Sequence, residues 1–222
     1  MSKQGEFAGD PMTGRVPTSH EKTAGRPWDA SYRDGSAPWD IGRPQAPFAR
    51  VAKERGFEGP VLDVGCGTGE HALLAASLGL PVVGVDVAET ALAMARQKAA
   101  ERGLAAEFVA MDALGLESLR ERLGRRFRTV LDCGLFHTFD NNEGVRYVAS
   151  LASVTEPGAM LYVLCFSDRG PEVGPHPVSE DEVRAAFGAE SGWEVVALAA
   201  ERIETRMHEH GAPAWFATMK RM

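Results

Sequence analysis

Three glycines at alternate positions, Gly65, Gly67 and Gly69, follow a short apolar run that begins at Val61. A run of Val and Leu before a glycine turn is typical of a parallel strand that is buried on both faces. Glycine lets the backbone turn sharply and lets a ligand approach where a Cβ would collide. Because helix formers with an apolar stripe follow over residues 70–78, the stretch predicts a nucleotide cradle at the C-terminal end of a strand.

Glu70 occupies the position at which dinucleotide-binding turns of the pattern G-x-G-x-x-G carry their third glycine. A carboxylate there would repel a pyrophosphate. It is compatible with a ligand that carries an amino group and no phosphate. The spacing therefore favours a nucleoside ligand over a dinucleotide, and it disfavours a nicotinamide-dependent dehydrogenase.

Acidic residues stand at the ends of the next two predicted strands. Asp86 ends the apolar run 82–86, at the distance from Gly65 where a carboxylate can accept hydrogen bonds from both ribose hydroxyls. Asp112 follows a short strand predicted over 107–110, where it can accept from an adenine amino group. These acids predict an adenosine pocket without phosphate recognition.

This arrangement resembles the class I S-adenosylmethionine-dependent methyltransferases. Their first motif is similar to Asp63–Glu70, their ribose acid to Asp86, and their adenine-side acid to Asp112, and the resemblance covers about residues 59–220. It implies S-adenosylmethionine as cofactor and S-adenosylhomocysteine as product. It also implies a set of cofactor-binding residues: Trp39, Asp63, Gly65, Cys66, Gly67, Gly69, Glu70, Asp86, Val87, Asp112, Ala113 and Cys133.

An aromatic segment over residues 28–44 precedes this domain and has no clean period. It is similar to the segment that closes over the cofactor in small-molecule methyltransferases of the thiopurine, tellurite-resistance and heterocyclic-toxin types. The resemblance implies that Tyr32, Trp39 and Arg43 face the cofactor or the methyl acceptor. The alternative is that the tryptophans only anchor the segment to the domain.

His137 lies in the loop after the fourth predicted strand, 129–132, and in this fold that loop borders the ligand crevice. An imidazole with a reference pKa of about 6.5 suits the removal of a proton from OH or NH. We therefore predict His137 as the general base; a structural histidine that donates to a loop carbonyl is the alternative. The predicted substrate-binding residues are Tyr32, Trp39, Arg43, Phe136, His137 and Asp168.

Strands and helices alternate along the chain, which predicts an α/β protein with right-handed crossovers. The expected fold is Rossmann-like and doubly wound, with a mostly parallel seven-stranded sheet, an antiparallel last strand and helices on both faces. The predicted parts are a disordered N-terminal tail (1–25), a lid segment with a helix (26–58), and the S-adenosylmethionine-binding domain (59–222).

Composition narrows the partners and the compartment. The net charge of −7 argues against a nucleic-acid partner, and no apolar run approaches the roughly 20 residues of a membrane span. The polar start lacks the apolar core of a secretory signal. Three widely spaced cysteines fit free thiols in a reducing compartment and offer no metal site. We predict a cytoplasmic monomer or homodimer with a small-molecule partner and neither nucleic acid nor membrane.

The predicted reaction is methyl transfer from S-adenosylmethionine to a small aromatic or heterocyclic O, N or S nucleophile. One alternative is a thiol or chalcogen S-methyltransferase of the detoxification type, which needs no base because such acceptors ionise readily. Another is a non-catalytic protein that binds an adenosyl ligand.

Overall fold

The computed structural model describes residues 10–12, 14–54, 56–170 and 176–222. It contains a seven-stranded sheet of order β3-β2-β1-β4-β5-β7-β6. The strands are β1 (Val61–Val64), β2 (Val82–Asp86), β3 (Glu107–Ala110), β4 (Phe127–Cys133), β5 (Thr155–Phe166), β6 (Trp193–Thr205) and β7 (His208–Arg221). The helices are α1 (Ser19–Ala24), α2 (Trp28–Arg33), α3 (Ala46–Lys53), α4 (Glu70–Ser77), α5 (Glu89–Arg102), α6 (Glu117–Leu123), α7 (Asn141–Val154) and α8 (Glu180–Ala186).

The first five strands are parallel, whereas β7 pairs antiparallel with both β5 and β6. The predicted Rossmann-like, mostly parallel architecture is confirmed. The final hairpin is longer than the predicted strands 193–200 and 214–219, because β6 and β7 stay paired as far as Thr205 and His208. This extension brings the end of the hairpin to the edge of the sheet where the glycine turn lies.

Apolar side chains pack on both faces of the sheet. Val61 and Leu62 are both fully buried, yet they belong to different apolar clusters, as the two-residue period of a strand requires. Phe48 of α3 packs in the cluster with Val61, and Tyr147 of α7 in the cluster with Leu62. Helices thus cover both faces, which explains why the parallel strands read as continuous apolar runs.

The order of strands reverses at β1, which lies between β2 and β4. In an open parallel sheet the crevice outside the carboxyl ends of the strands at such a reversal is the ligand site. The loops after β1, β2, β3 and β4 all open onto this edge of the sheet. The strand order therefore gathers the glycine turn, Asp86, Asp112 and His137 at one place.

The prediction of a disordered tail is wrong for residues 18–25, which form helix α1 and its two caps. Thr18 and Glu21 make a reciprocal capping box, and Arg15 donates to the Glu21 carboxylate at 2.7 Å. The side chains of Arg15 and Glu21 are 4% and 1% exposed. Buried ion pairing and capping, rather than apolar content, hold this segment. Residues 1–9 lie outside the described part of the chain.

Helix α1 is also tied to the domain through α7. The Ser19 N–H donates to Glu143 Oε1 at 2.8 Å, and the Ser19 hydroxyl bonds to the Asp140 carboxylate. Since Asp140 and Glu143 form the capping box of α7, two helix N-termini share their capping groups. The segment before residue 26 is thereby fixed against the N-terminus of α7.

Gly69 is required by both conformation and space. Its φ is +84°, and a Cβ there would lie 2.9 Å from the Ala95 Cβ and 3.0 Å from the Phe108 ring. We expect Gly69→Ala to lower the free energy of unfolding by about 2–4 kcal/mol, from left-handed strain together with overpacking.

Gly79→Ala is the matched control, because its φ is +76° and no atom lies within 4 Å of the added Cβ. Gly79→Ala introduces only the left-handed backbone strain, so we expect it to lower the free energy of unfolding by about 1–2 kcal/mol. Urea unfolding of both variants measures the difference. Equal losses in the two variants would contradict the packing role of Gly69.

Candidate active site

A cavity of about 340 Å³ lies at the carboxyl ends of β1 to β4, beneath the segment that contains α1 and α2. Most of the predicted site residues line it. They are Tyr32, Trp39, Arg43, Gly65, Cys66, Gly67, Glu70, Asp86, Val87, Asp112, Ala113, Cys133 and His137. Four predicted residues do not line it: Asp63, Gly69, Phe136 and Asp168.

The glycine turn forms the floor of the cavity. Gly65 and Gly67 have φ values of +67° and +51°. The Cys66 N–H between them donates to the Val85 carbonyl at 3.0 Å, which ties the turn to β2. A Cβ at Gly67 would lie 2.7 Å from the Tyr32 hydroxyl. The turn therefore needs glycine both for its backbone conformation and for the close approach of the lid.

Asp86 is held in one orientation at the end of β2. Its carboxylate accepts from the Gly67 N–H and the Ala88 N–H, each at 2.8 Å. Burial raises the pKa of Asp86, while these backbone donors oppose the shift and Asp29 adds to it. A buried carboxylate can accept about four hydrogen bonds, so further donors in the cavity would stabilise it. Ribose hydroxyls are donors of this kind.

Asp112 caps the short helical turn 113–115 after β3. One carboxylate oxygen, Oδ1, accepts from the Leu114 N–H at 2.9 Å. Both Asp112 and Ala113 line the cavity. The carboxylate is thus oriented by its own backbone and has acceptor capacity left for a ligand amino group.

Asp63 has a structural position rather than a ligand-facing one. Its carboxylate accepts from the Ala72 N–H at 2.8 Å, which fastens α4 to the end of β1. Burial raises the pKa of Asp63 to about 7, and the charges of Asp86 and Asp132 contribute. Gly69 likewise faces α5 and β3 and not the cavity. Neither Asp63 nor Gly69 lines the cavity, which differs from the predicted cofactor-binding set.

Glu70 lines the margin of the cavity, but its charge is neutralised. Its carboxylate pairs with Lys98 at 2.8 Å and with Arg102 at 2.9 Å. Burial alone would raise the pKa of Glu70, but the hydrogen bonds and charges of these two cations lower it. The argument that Glu70 excludes a pyrophosphate by repulsion is therefore wrong. The cations lie on α5, about 30 residues away in sequence.

The aromatic segment closes over the glycine turn as a lid. The Trp39 indole N–H donates to the Tyr32 hydroxyl at 2.8 Å, and Trp28 packs edge-on against Trp39 with the centroids 5.4 Å apart. Burial, then the charge of Asp86, raises the pKa of Tyr32 well above its usual value. The Tyr32 hydroxyl is thus a neutral group placed directly above the turn.

Polar contacts fasten this lid at two sides. The Thr68 hydroxyl donates to Asp40 at 2.9 Å, and the Asp29 carboxylate accepts from the Thr90 N–H at 2.7 Å. Arg43 reaches over to β6, where it pairs with Glu204. Arg43 therefore lines the cavity with a carboxylate partner already in place, so it offers no free charge for an anionic substrate.

His137 faces the acceptor end of the cavity. It is 3% exposed, and its ring packs against Phe166 with the centroids 4.5 Å apart. Its Nδ1 accepts from the Phe166 N–H at 3.1 Å. Burial, together with the charges of His20 and His176, lowers the pKa of His137 to about 3.

These contacts contradict the prediction of a general base. A neutral imidazole that accepts at Nδ1 carries its proton on Nε2, so the nitrogen left for the cavity already holds a proton. The structural alternative, donation to a loop carbonyl, is also wrong, because His137 accepts from the Phe166 backbone N–H instead. The sequence showed a histidine in the correct loop, but the hydrogen bond that fixes its tautomer comes from β5.

Asp132 holds the loop that carries His137. Its buried carboxylate accepts from the Tyr147 hydroxyl at 2.7 Å, the Leu135 N–H at 2.9 Å and the Phe136 N–H at 3.1 Å. Burial raises the pKa of Asp132 to about 6, and the three donors oppose the shift. The loop after β4 is therefore set by a network in the core and does not depend on ligand.

Two predicted substrate residues lie elsewhere. The Phe136 ring packs 5.2 Å from Phe187 in the core, because Asp132 draws its backbone N–H inward. Asp168 follows β5, where its N–H donates to the Val178 carbonyl at 3.1 Å. Both predictions are wrong with respect to the cavity. Residues 171–175, which follow Asp168 closely in the chain, lie outside the described part.

Several lining residues were missed. The segment predicted to be disordered contributes Arg15, Thr18 and His20, and the His20 ring stacks on Trp28 at 4.7 Å. The spacing of Thr18 and Glu21 is a capping-box signature that could have revealed α1. Further missed residues come from the N-cap of α3, the start of α4, the loop after β4 and the end of the β6–β7 hairpin, among them Gln45, His71, Thr138, Phe139, Glu204, Thr205 and Met207.

The chain is similar to methyltransferases over most of its length. A family model described as a methyltransferase domain matches residues 61–158. A 2-heptyl-1-hydroxyquinolin-4(1H)-one methyltransferase of Mycobacteroides abscessus is 39% identical over 71% of this chain and 72% of its own.

Two solved structures extend the comparison. One, described as the conversion of a disulfide bond into a thioacetal group during echinomycin biosynthesis, has a TM-score of 0.77 and 34% identity, over 87% of this chain and 90% of its own. The other is Burkholderia thailandensis 1,6-didemethyltoxoflavin-N1-methyltransferase with bound substrate and S-adenosylhomocysteine. It has a TM-score of 0.72 and 21% identity, over 96% and 94% of the two chains.

The fold, the glycine turn and its two following acids, together with these relatives, show that the chain belongs to the S-adenosylmethionine-dependent methyltransferases. Its relatives within that family include methyltransferases named for small molecules. The suspected family, the enzyme class and the cofactor are thereby confirmed.

Among the described residues, no group of three or more His, Cys, Asp or Glu side chains could hold a metal ion. No helix among them is long and apolar enough to span a membrane. Cys66, Cys133 and Cys165 are free thiols.

Proposed function

We propose that the cavity binds S-adenosylmethionine with the ribose on Asp86 and the adenine beside Asp112 and Ala113. The support is the geometry of the half-buried Asp86 carboxylate at the end of β2, which is oriented by two backbone N–H groups and has acceptor capacity left. When bound, the cofactor supplies a sulfonium-activated methyl group. The floor of the cavity at Gly65 and Gly67 lets the ligand approach the backbone closely.

The methyl acceptor that we propose is a small aromatic heterocycle with an acidic O–H, of the hydroxyquinolone type. The observation that carries this proposal is the 39% identity to the quinolone methyltransferase across 72% of that protein. Aromatic rings border the same cavity, among them Trp28, Trp39, Phe139 and Phe166. Flat apolar walls suit a planar ring by stacking and exclusion of water.

A sulfur nucleophile is the second candidate acceptor. It is favoured by the 34% identity to the protein of the thioacetal-forming reaction. A thiol that loses its proton to water needs no base from the protein, which agrees with the proton on His137 Nε2.

In this reaction the protein aligns the reactants and excludes water. The lid residues Tyr32 and Trp39 cover the turn, and the loop fixed by Asp132 forms the opposite wall. Holding two reactants in line removes much of the entropic barrier to a bimolecular step. A low-polarity site also favours the reaction of an anion with a cation, because the charges cancel as the bond forms.

Release of S-adenosylhomocysteine tests the proposal. The purified protein is incubated with S-adenosylmethionine and, separately, 2-heptyl-1-hydroxyquinolin-4(1H)-one, a thiophenol, or no acceptor. We expect acceptor-dependent release and a mass gain of one methyl group on the quinolone. Methylation of the thiophenol alone would favour the sulfur candidate. Tight binding of S-adenosylhomocysteine with no product from either acceptor would favour the non-catalytic alternative.

A further inference from the structure

The two ring nitrogens of His137 have different surroundings. Nδ1 is occupied by the hydrogen bond from the Phe166 N–H. Nε2 makes no hydrogen bond to any residue in the described part of the chain, although His137 lines the cavity. One nitrogen is therefore fixed by the protein, and the other is left for a ligand.

The Phe166 N–H decides which nitrogen bears the proton. A backbone N–H cannot be exchanged for an acceptor, so a proton on Nδ1 would set two donors against each other. The neutral ring must therefore carry its proton on Nε2, which points a donor at the cavity. The Phe166 ring also packs against the imidazole, with the centroids 4.5 Å apart and the ring planes tilted by 32°.

We infer that His137 donates a hydrogen bond through Nε2–H to the anionic nucleophile of the acceptor, and that the enzyme selects acceptors that ionise without a protein base. This inference rests on the proposed methyl transfer. The acceptor loses its proton to water before the reaction. A lone pair of its anion then forms the bond to the methyl carbon, the carbon–sulfur pair returns to sulfur, and His137 keeps its proton throughout.

The enzyme selects among methyl acceptors because a buried N–H donor without a hydrogen-bond partner costs free energy. A buried N–H loses its hydrogen bonds to water when a ligand fills the cavity, so a ligand without an acceptor atom at that place binds weakly. An anion accepts a stronger hydrogen bond than a neutral group does. The donor, and the positive charge brought by the cofactor, therefore both lower the pKa of a bound acidic acceptor.

Other groups that can titrate surround His137. The charges of His20 on α1 and of His176 before α8 both lower the pKa of His137. His208 of β7 packs edge-on against Phe166, with its Nδ1 2.7 Å from the Thr205 hydroxyl. Asp132 lies behind the loop in the core. Of these, His20 also lines the cavity, so it is the group whose role the experiment must separate from that of His137.

Two substitutions of His137 separate donation from proton removal. His137→Gln places an amide N–H where Nε2–H lies, whereas His137→Phe keeps a ring without a donor. We expect kcat/KM to fall about 10- to 100-fold in His137→Phe and to stay within about 5-fold of the wild type in His137→Gln. Circular dichroism and the affinity for S-adenosylhomocysteine check that both variants are folded.

The second measurement is the pH profile with a series of ring-substituted thiophenols and with the hydroxyquinolone. We expect the midpoint of the rising limb to follow the acceptor's own pKa and to be the same in His137→Gln. A third measurement uses absorbance, without turnover. We expect the pKa of the acceptor bound to the wild-type enzyme with S-adenosylhomocysteine to be about one unit lower than the pKa of the same acceptor bound to His137→Phe.

Three results would overturn the inference. If the midpoint of the rising limb of the pH profile is the same for every acceptor and disappears in His137→Gln, then His137 is the base. If the rising limb of the pH profile disappears in His20→Gln, the base is His20 on α1. If S-adenosylhomocysteine binds but neither acceptor class is bound or methylated, the proposed function itself fails, and this is visible before any variant is made.

Discussion

Replacing Asp86 with alanine is expected to weaken the binding of S-adenosylhomocysteine by about 100-fold or more. The Asp86 carboxylate lies in the cavity and accepts from two backbone N–H groups. Two ribose hydroxyls would donate to its remaining acceptor positions. Two charge-assisted hydrogen bonds contribute about 3 kcal/mol or more, which corresponds to about 100-fold in affinity. Isothermal titration calorimetry at pH 7.5 measures the change.

Glu107→Ala is the matched control for this variant. Glu107 is an acid on the neighbouring strand β3, but it is paired with Arg122 at the surface. The control should bind like the wild type, since removing an exposed ion pair changes little. A loss of less than about 5-fold in Asp86→Ala would show that the ribose is recognised elsewhere.

Gly67→Ala is expected to weaken S-adenosylhomocysteine binding by about 50-fold or more, because the added Cβ forces the lid away from the turn. The φ of Gly67 is +51°, and its Cβ would lie 2.7 Å from the Tyr32 hydroxyl. That hydroxyl is held in place because it accepts from the Trp39 indole N–H at 2.8 Å.

A double-mutant cycle isolates the steric part of this effect. In Gly67→Ala with Tyr32→Phe the hydroxyl is gone, and the nearest ring carbon, Cζ, lies 3.6 Å from the added Cβ. We expect the second substitution to recover about 1–2 kcal/mol of binding free energy. Gly42→Ala is the control, since it has a φ of +71° with no atom within 4 Å. Strictly additive losses would show that Tyr32 does not press on the turn.

The sequence predicted the fold and the cofactor half of the site because their signals are local. The turn at Gly65–Gly69 lies within nine residues of the strand that begins at Val61, and each acid follows its own strand. Parallel strands with one direction of crossover bring these ends to one edge. Asp86 and Asp112 therefore reach the cavity without any information about distant contacts.

The predictions that were wrong depended on partners far away in sequence. Glu70 is neutralised by Lys98 and Arg102 on α5, and α1 is held by Glu143 on α7. The same residue types could equally have remained solvated. Ion pairs between residues distant in sequence leave no periodic pattern. The sequence alone therefore predicted an unpaired, repulsive charge at Glu70 and a disordered segment where α1 forms.

The sequence by itself determined the class of protein, through the sheet, the glycine turn and the acids for which we propose adenosine binding, and hence the methyl donor. Only the tertiary structure decided the chemistry available to the acceptor. His137 stands in the loop that the sequence indicated, but the Phe166 N–H of β5 places its proton on Nε2. A tautomer is set by what the other nitrogen contacts, and that contact exists only once β5 lies beside β4.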